Sequence, residues 1–148
     1  MAAKITVEQV QAAVKKYFRV LSDKLSGELG KMYTYDALVF GAWVPRAESG
    51  RVSAARRERE YFQPQASYRA EITSPIEVQI LADTVAVATH TMRAHARNLE
   101  EPLQGKRFNR ALLDGRGTHV FVLGSEGELL LAHQHISDIC RTPLEPVQ

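Results

Sequence analysis

Thr118-His119-Val120-Phe121-Val122-Leu123, then Gly124-Ser125-Glu126-Gly127, then Leu129-Leu130-Leu131-Ala132-His133-Gln134-His135-Ile136-Ser137 is the stretch that decides the fold. Two alternating apolar runs flank a Gly-bearing turn, the pattern of a β-hairpin. Its histidines lie inside the strands and not in the loop. A hairpin this apolar cannot show water both faces, so some of these imidazoles project into a packed or cupped interior. Turn length determines which ones, because a one-residue change in register moves every side chain to the other face. A two- or four-residue turn puts His119 and Phe121 on one face with Ala132, Gln134 and Ile136. A three- or five-residue turn joins His119 to His133 and His135 instead. Glu126-Gly127 as a two-residue turn is the better local match. It places His119, Phe121, Gln134 and Ile136 inside and Leu131, His133 and His135 outside.

Upstream of the hairpin the same period of two continues. Tyr68, Ala70 and Ile72, then Ile76, Val78 and Ile80, share a parity, and Pro75 between them cannot donate to a ladder, so this strand bends or lies at an edge there. Ala82-Asp83 turns the chain into Val85 to Arg97. One face of that run carries Ala86, Ala88, His90, Met92, Ala94 and Ala96, the other Thr89, Thr91, Arg93 and His95. Asn98 to Lys106 reads as a polar loop and Arg141 to Gln148 as a tail.

The N-terminal third has the other period. Thr6-Val7-Glu8-Gln9 has the spacing of a capping box. Val7, Val10, Ala13, Val14, Tyr17, Phe18 and Leu21 follow at helical intervals, with Lys15, Lys16 and Arg19 opposite. A shorter helical segment runs through Leu29, Met32 and Tyr33. Ala37 to Val44 reads as a short strand, Pro45 to Gly50 as a loop, and Val52 to Phe62 as a third, weakly patterned helix. Helices followed by hairpin-joined strands give an α+β fold, with a cone-shaped curved sheet, antiparallel or mixed, wrapped over about three helices.

This order, with an ending of Gly-x-Leu-x4-His-x-His-x-Ser, resembles the nuclear transport factor 2-like superfamily. Within it the chain is similar to SnoaL-like proteins and to the association domain of calcium/calmodulin-dependent protein kinase II. Tyr35-Asp36-Ala37, Ala86-Val87-Ala88, Thr118-His119-Val120-Phe121 and His133-Gln134-His135-Ile136-Ser137 carry the resemblance, which spans roughly residues 6–139. It implies a cone with an internal pocket, used in isomerases, cyclases and dehydratases, or left non-catalytic in oligomerisation modules. The association domain's pocket arginines fall at Thr91, His119 and Ile136, none of which is Arg, so the resemblance marks inward faces without implying an anion site. The catalytic Asp of ketosteroid isomerases has no counterpart on a strand here, and Asp36 at a helix-to-strand junction reads as a capping or turn residue.

Composition bounds the partners. With 148 residues the chain is one domain, 1–148, long enough for a full core. Nineteen basic and 17 acidic residues give a net charge of +2, too balanced to suggest nucleic acid. Arg51, Arg56, Arg57 and Arg59 alternate with Glu58 and Glu60, as on a solvated helix face. The single cysteine, Cys140, has no intrachain disulfide partner. The start through Lys4 leads straight into a helix, and no apolar run is long enough to cross a bilayer, so a cytoplasmic protein without a signal peptide is expected.

His119 is the candidate catalytic acid or base, since an imidazole exchanges protons near neutral pH. Gln134 would position a ligand, with Phe121, Ile136, Thr91, Trp43 and Tyr61 as its walls or mouth. His133-x-His135 lacks a carboxylate or thiolate at matching spacing, so no metal is expected, and no cofactor. The ligand would be a small apolar molecule or an organic acid. The apolar outer face of the hairpin predicts a homodimer formed sheet to sheet. Two functions follow: a cofactor-independent isomerase, cyclase or dehydratase acting by proton transfer, or a non-catalytic binding or oligomerisation module.

Overall fold

The computed structural model of the chain describes residues 3–23, 26–41, 48–51, 67–101 and 106–146. Helix α1 runs Val7–Ser22 and begins as the sequence predicts. The Thr6 hydroxyl accepts from the Gln9 amide at 3.2 Å, and the Gln9 carboxamide accepts from the Thr6 amide at 3.0 Å. Its apolar stripe buries Val10, Val14, Tyr17, Phe18, Val20 and Leu21. Each fully buried side chain of this size stabilises by roughly 1.5–3 kcal/mol before entropy is counted, so the helix is held by its stripe far more than by its cap. A short α2 (Ser26–Leu29) and a 3-10 turn (Gly30–Met32) lead into the sheet.

Among the described residues seven strands follow: β1 (Tyr33–Phe40), β2 (Glu48–Ser49), β3 (Ser67–Ile72), β4 (Glu77–Ala82), β5 (Val85–Glu101), β6 (Lys106–Leu123) and β7 (Leu129–Pro146). They form one curved mixed sheet in the order β2-β1-β7-β6-β5-β3, with β4 also on β5. Only β1 and β7 run parallel; the other pairings are antiparallel. Helix α1 packs across β3, β4, β5 and β7 on one face. No helix among the described residues is long and apolar enough to cross a membrane. The fold class is therefore the α+β arrangement expected from the sequence.

Several boundaries differ, for identifiable reasons. The first strand starts at Tyr33 and not at Ala37, so Asp36 sits exposed within β1, its carboxylate accepting from the Thr34 hydroxyl at 3.0 Å. The break at Pro75 is an edge feature: β3 and β4 each pair only with β5, on successive lengths of it. The expected tail is the last part of β7. Among the described residues β1 pairs with residues 131–135 and none pairs with the later backbone on that side, an edge-like setting in which a proline is tolerated. The third predicted helix, Val52 to Phe62, lies outside the described residues, as do Trp43 and Tyr61.

The hairpin turn is longer than the two residues expected. Leu123 and Leu129 are the last partners, with the Gly124 amide on the Glu128 carbonyl at 2.7 Å and the Gly127 amide on the Gly124 carbonyl at 3.1 Å. Gly127 takes a φ of 82°, a conformation a side chain disfavours. By parity alone this turn would set His119 opposite His133. It does set Phe121 opposite Leu131, and Leu131 is fully buried, where the sequence had it on the outer face. One step further, Val120 pairs with His133, so Ala132 is an extra residue in β7. This β-bulge restores the opposite parity and brings His119 to Gln134.

Candidate functional site

Strands β5, β6 and β7 each send one polar side chain toward α1: His90, His119 and Gln134. Among the described residues these are the buried polar side chains, with exposures of 5%, 0% and 0%. His119 lies directly opposite Ala88 and His90 directly opposite Gly117, so the two rings meet on the diagonal between adjacent strands. Their Nε2 atoms are 2.9 Å apart. Ring centroids 5.1 Å apart in planes only 7° different mean that the imidazoles touch end to end in nearly one plane, not face to face.

Gly117 makes this approach possible. A Cβ there would stand 3.0 Å from both Nε2 atoms and wedge into the bond. The opposite side is closed by α1: Phe18 meets His90 edge-on at 5.2 Å, and Tyr17 lies 5.9 Å from the His119 ring. Phe121, 6.2 Å away on β6, completes the apolar surround.

The hydrogen bonds continue beyond the pair. His90 Nδ1 lies 3.1 Å from the Thr91 carbonyl oxygen. His119 Nδ1 is 3.0 Å from the Gln134 carboxamide nitrogen, and the Tyr33 hydroxyl donates to Gln134 Oε1 at 3.3 Å. Tyr33 on β1 is fully buried. An unbroken line thus runs Thr91, His90, His119, Gln134, Tyr33 across four strands.

Burial disfavours charge on it. It pushes His119 down to about 3, with the neighbouring imidazole adding a smaller effect in the same direction. His90 is also pushed below its ordinary value by burial, partly offset by its bond to the Thr91 carbonyl. Both rings are neutral at pH 7. The line therefore offers oriented neutral donors and acceptors in an apolar surround.

The structure brings His119, Phe121 and Gln134 together inside, and packs Ile136 against the same core. Thr91, placed inward by the resemblance, is exposed, and its hydroxyl bonds that of Thr73 at 2.9 Å on the outside. Only its carbonyl reaches the line. The reason is parity: His90, not Thr91, shares the face of Ala86, Ala88, Met92 and Ala94, all buried. That shared face was the sequence signal for His90; the ring that partners it was not visible there. Tyr33 and Gly117 had no comparable signal. His133 and His135 are exposed on the other face, with Phe40 5.0 Å from the His135 ring.

The chain has the fold of the nuclear transport factor 2-like proteins. A nuclear transport factor 2-like superfamily protein from Salmonella enterica superposes with a TM-score of 0.70 at 12% identity, covering 93% of each chain. A ketosteroid isomerase-like protein from Erwinia carotovora atroseptica gives 0.71 at 16% identity over 90% of this chain and 96% of that one. A hexachlorocyclohexane dehydrochlorinase gives 0.75 at 12% identity over 95% and 90%. No family model matches the sequence, and no curated protein matches it significantly. At such identities the likeness establishes the fold alone.

Proposed function

We propose that this chain is a small-molecule enzyme of the proton-transfer kind (an isomerase, cyclase or dehydratase) that acts without a cofactor on a compact, mainly apolar substrate. The observation that carries this reading is the histidine pair. Burying two imidazoles, a carboxamide and a phenol in an apolar interior is costly unless each is satisfied, and a core needing only stability is as well filled by Leu and Phe. His90 is the member with residual exposure, so it is the ring a substrate approaches, and its Nε2 lone pair serves as base once the substrate proton takes the place of the His119 Nε2–H that it accepts from in this structure. His119 backs it, and Phe121 and Ile136 form apolar walls. Small-molecule enzymes among the fold neighbours support the same reading.

The test is turnover of small unsaturated ketones and β-hydroxy or β-halo compounds by the wild type, His90→Ala and His119→Ala. A general base contributes about 10²–10⁴-fold, so both variants should lose at least 100-fold on any compound that is turned over. Undiminished rates in both would defeat the proposal.

A second reading, a non-catalytic binding or oligomerisation module, is favoured by one observation: every ring nitrogen of the pair already has a protein partner. Under it the outer face, with Leu38, Phe40, His133 and His135, is the surface a second copy of the chain covers. Light scattering at micromolar concentration tests this, since a monomer removes the oligomerisation half.

A further inference from the structure

We propose that Gln134 is a positioning residue: its carboxamide, with Oε1 accepting from Tyr33 and the N–H donated to His119 Nδ1, completes the line that begins at the Thr91 carbonyl and so fixes which nitrogen of the histidine pair is basic. The line of hydrogen bonds has only one consistent direction when both rings are neutral. A carbonyl oxygen can only accept, so His90 carries its proton on Nδ1, facing Thr91. Its Nε2 is then bare, and the His119 Nε2 lying 2.9 Å away must be the donor. That leaves His119 Nδ1 bare, matched by the Gln134 N–H at 3.0 Å, while Gln134 Oε1 takes the Tyr33 hydroxyl proton. The two histidines are opposite tautomers, and the basic lone pair between them belongs to His90.

Turning the carboxamide over breaks this arrangement. Oε1 would then face the bare His119 Nδ1, acceptor against acceptor. Moving the His119 proton to Nδ1 repairs that contact but leaves two bare Nε2 atoms facing each other at 2.9 Å. One additional proton, shared between those Nε2 atoms, resolves it. The turned carboxamide is therefore the state that admits a proton, and the observed one is the state that keeps the pair neutral. Among the described residues the groups facing the pair are Tyr17 and Phe18 from α1, Tyr33 from β1, Gln134 from β7, Ala88 from β5 and Phe121 from β6. None carries a charge that could hold the extra proton instead. As a statement about catalysis this rests on the proton-transfer reading above; as a statement about tautomers it does not.

Nitrogen-15 NMR of histidine-labelled protein at pH 7 is the experiment. The wild type is expected to show His90 protonated on Nδ1 and His119 protonated on Nε2. Gln134→Glu supplies a carboxylate that only accepts, so the His119 Nδ1 signal should move from the bare to the protonated position. Tyr33→Phe frees Oε1, and the His119 nitrogens should move toward exchange-averaged positions. A wild-type His119 protonated on Nδ1 overturns the proposal. So does a Gln134→Glu spectrum identical to wild type or, should that variant not fold, a Tyr33→Phe spectrum identical to wild type. No substrate enters these measurements, so loss of the enzymatic reading and loss of this one are told apart.

Discussion

Replacing Gly117 by Ala reads the histidine pair directly, because two effects of opposite sign compete at that position. A glycine in a strand interior costs roughly 0.5–1 kcal/mol relative to alanine, so without any obstacle Gly117→Ala would stabilise. The added Cβ, however, would lie 3.0 Å from both Nε2 atoms and 3.3 Å from His90 Cε1. Neither ring can retreat easily. His119 is tied to Gln134 and enclosed by Tyr17 and Phe121, while His90 is tied to its own strand and meets Phe18. The methyl group therefore forces the Nε2–Nε2 bond apart inside the core.

A buried polar group left unsatisfied costs about 1–3 kcal/mol, and two nitrogens share the loss here. After the strand gain is subtracted, the net effect is a destabilisation of roughly 2 kcal/mol. For a chain of this size 1 kcal/mol moves Tm by about 2–4 °C, so Tm should fall by about 4–8 °C. Urea denaturation followed by circular dichroism gives the free energy. In a His90→Ala background the methyl meets emptied volume, and at least about 1 kcal/mol of its cost should vanish as coupling between neighbours. A Gly117→Ala protein as stable as wild type or more so, or strictly additive effects in the double variant, would refute the wedge.

Acid should weaken the fold through the same pair. His119 is held at about 3 when folded against an ordinary value of 6.5, so the unfolded chain binds more protons throughout that window. Its contribution is complete above pH 6.5 and declines as pH falls toward 3, by up to about 1.4 kcal/mol per unit; His90 acts in the same direction. Urea midpoints at pH 7, 5.5 and 4 should fall in step, and His119→Gln should flatten the slope. Tyr33→Phe removes the hydroxyl that donates to Gln134 Oε1 at 3.3 Å, a loss of about 1–2 kcal/mol by urea unfolding. Thr6→Ala removes the capping-box acceptor from the Gln9 amide and should cost about 1 kcal/mol without touching the histidine tautomers.

The helix start and the general architecture were legible because each rests on local physics. Thr6 and Gln9 satisfy orphan amides whatever surrounds them, and the change of period at Tyr68 reports which face is dry. The inward placement of His119, Phe121 and Gln134 was also expected, but by a route the chain does not take. The turn is longer than expected and the bulge at Ala132 reverses its consequence, so two departures cancel for Gln134 and fail to cancel for Leu131. Nothing in Ala132 itself signals a bulge. Only pairing with a partner strand reveals an unpaired residue, and pairing is a tertiary fact. His90 escaped for a related reason: its parity was plain, but the ring 29 residues along the chain that gives it a partner was not.

The bulge and the polar line explain each other. If β7 ran without its extra residue, the turn would set His119 opposite His133, and Gln134 would face outward with the tyrosine of β1 out of reach. His119 would then face a third buried imidazole in place of the carboxamide, and the far nitrogen of that ring would lack the Tyr33 hydroxyl as its partner. A single unmet buried nitrogen costs as much as several ordinary surface contacts contribute, so the regular register is disfavoured by the very side chains that the bulge brings together. Apolar packing alone could not discriminate so sharply, since Leu129, Leu130 and Leu131 are interchangeable in chemistry and nearly so in position. The interior polar groups therefore specify which of two closely related hairpins forms, and that same hairpin is the one in which a neutral imidazole pair is aligned and oriented.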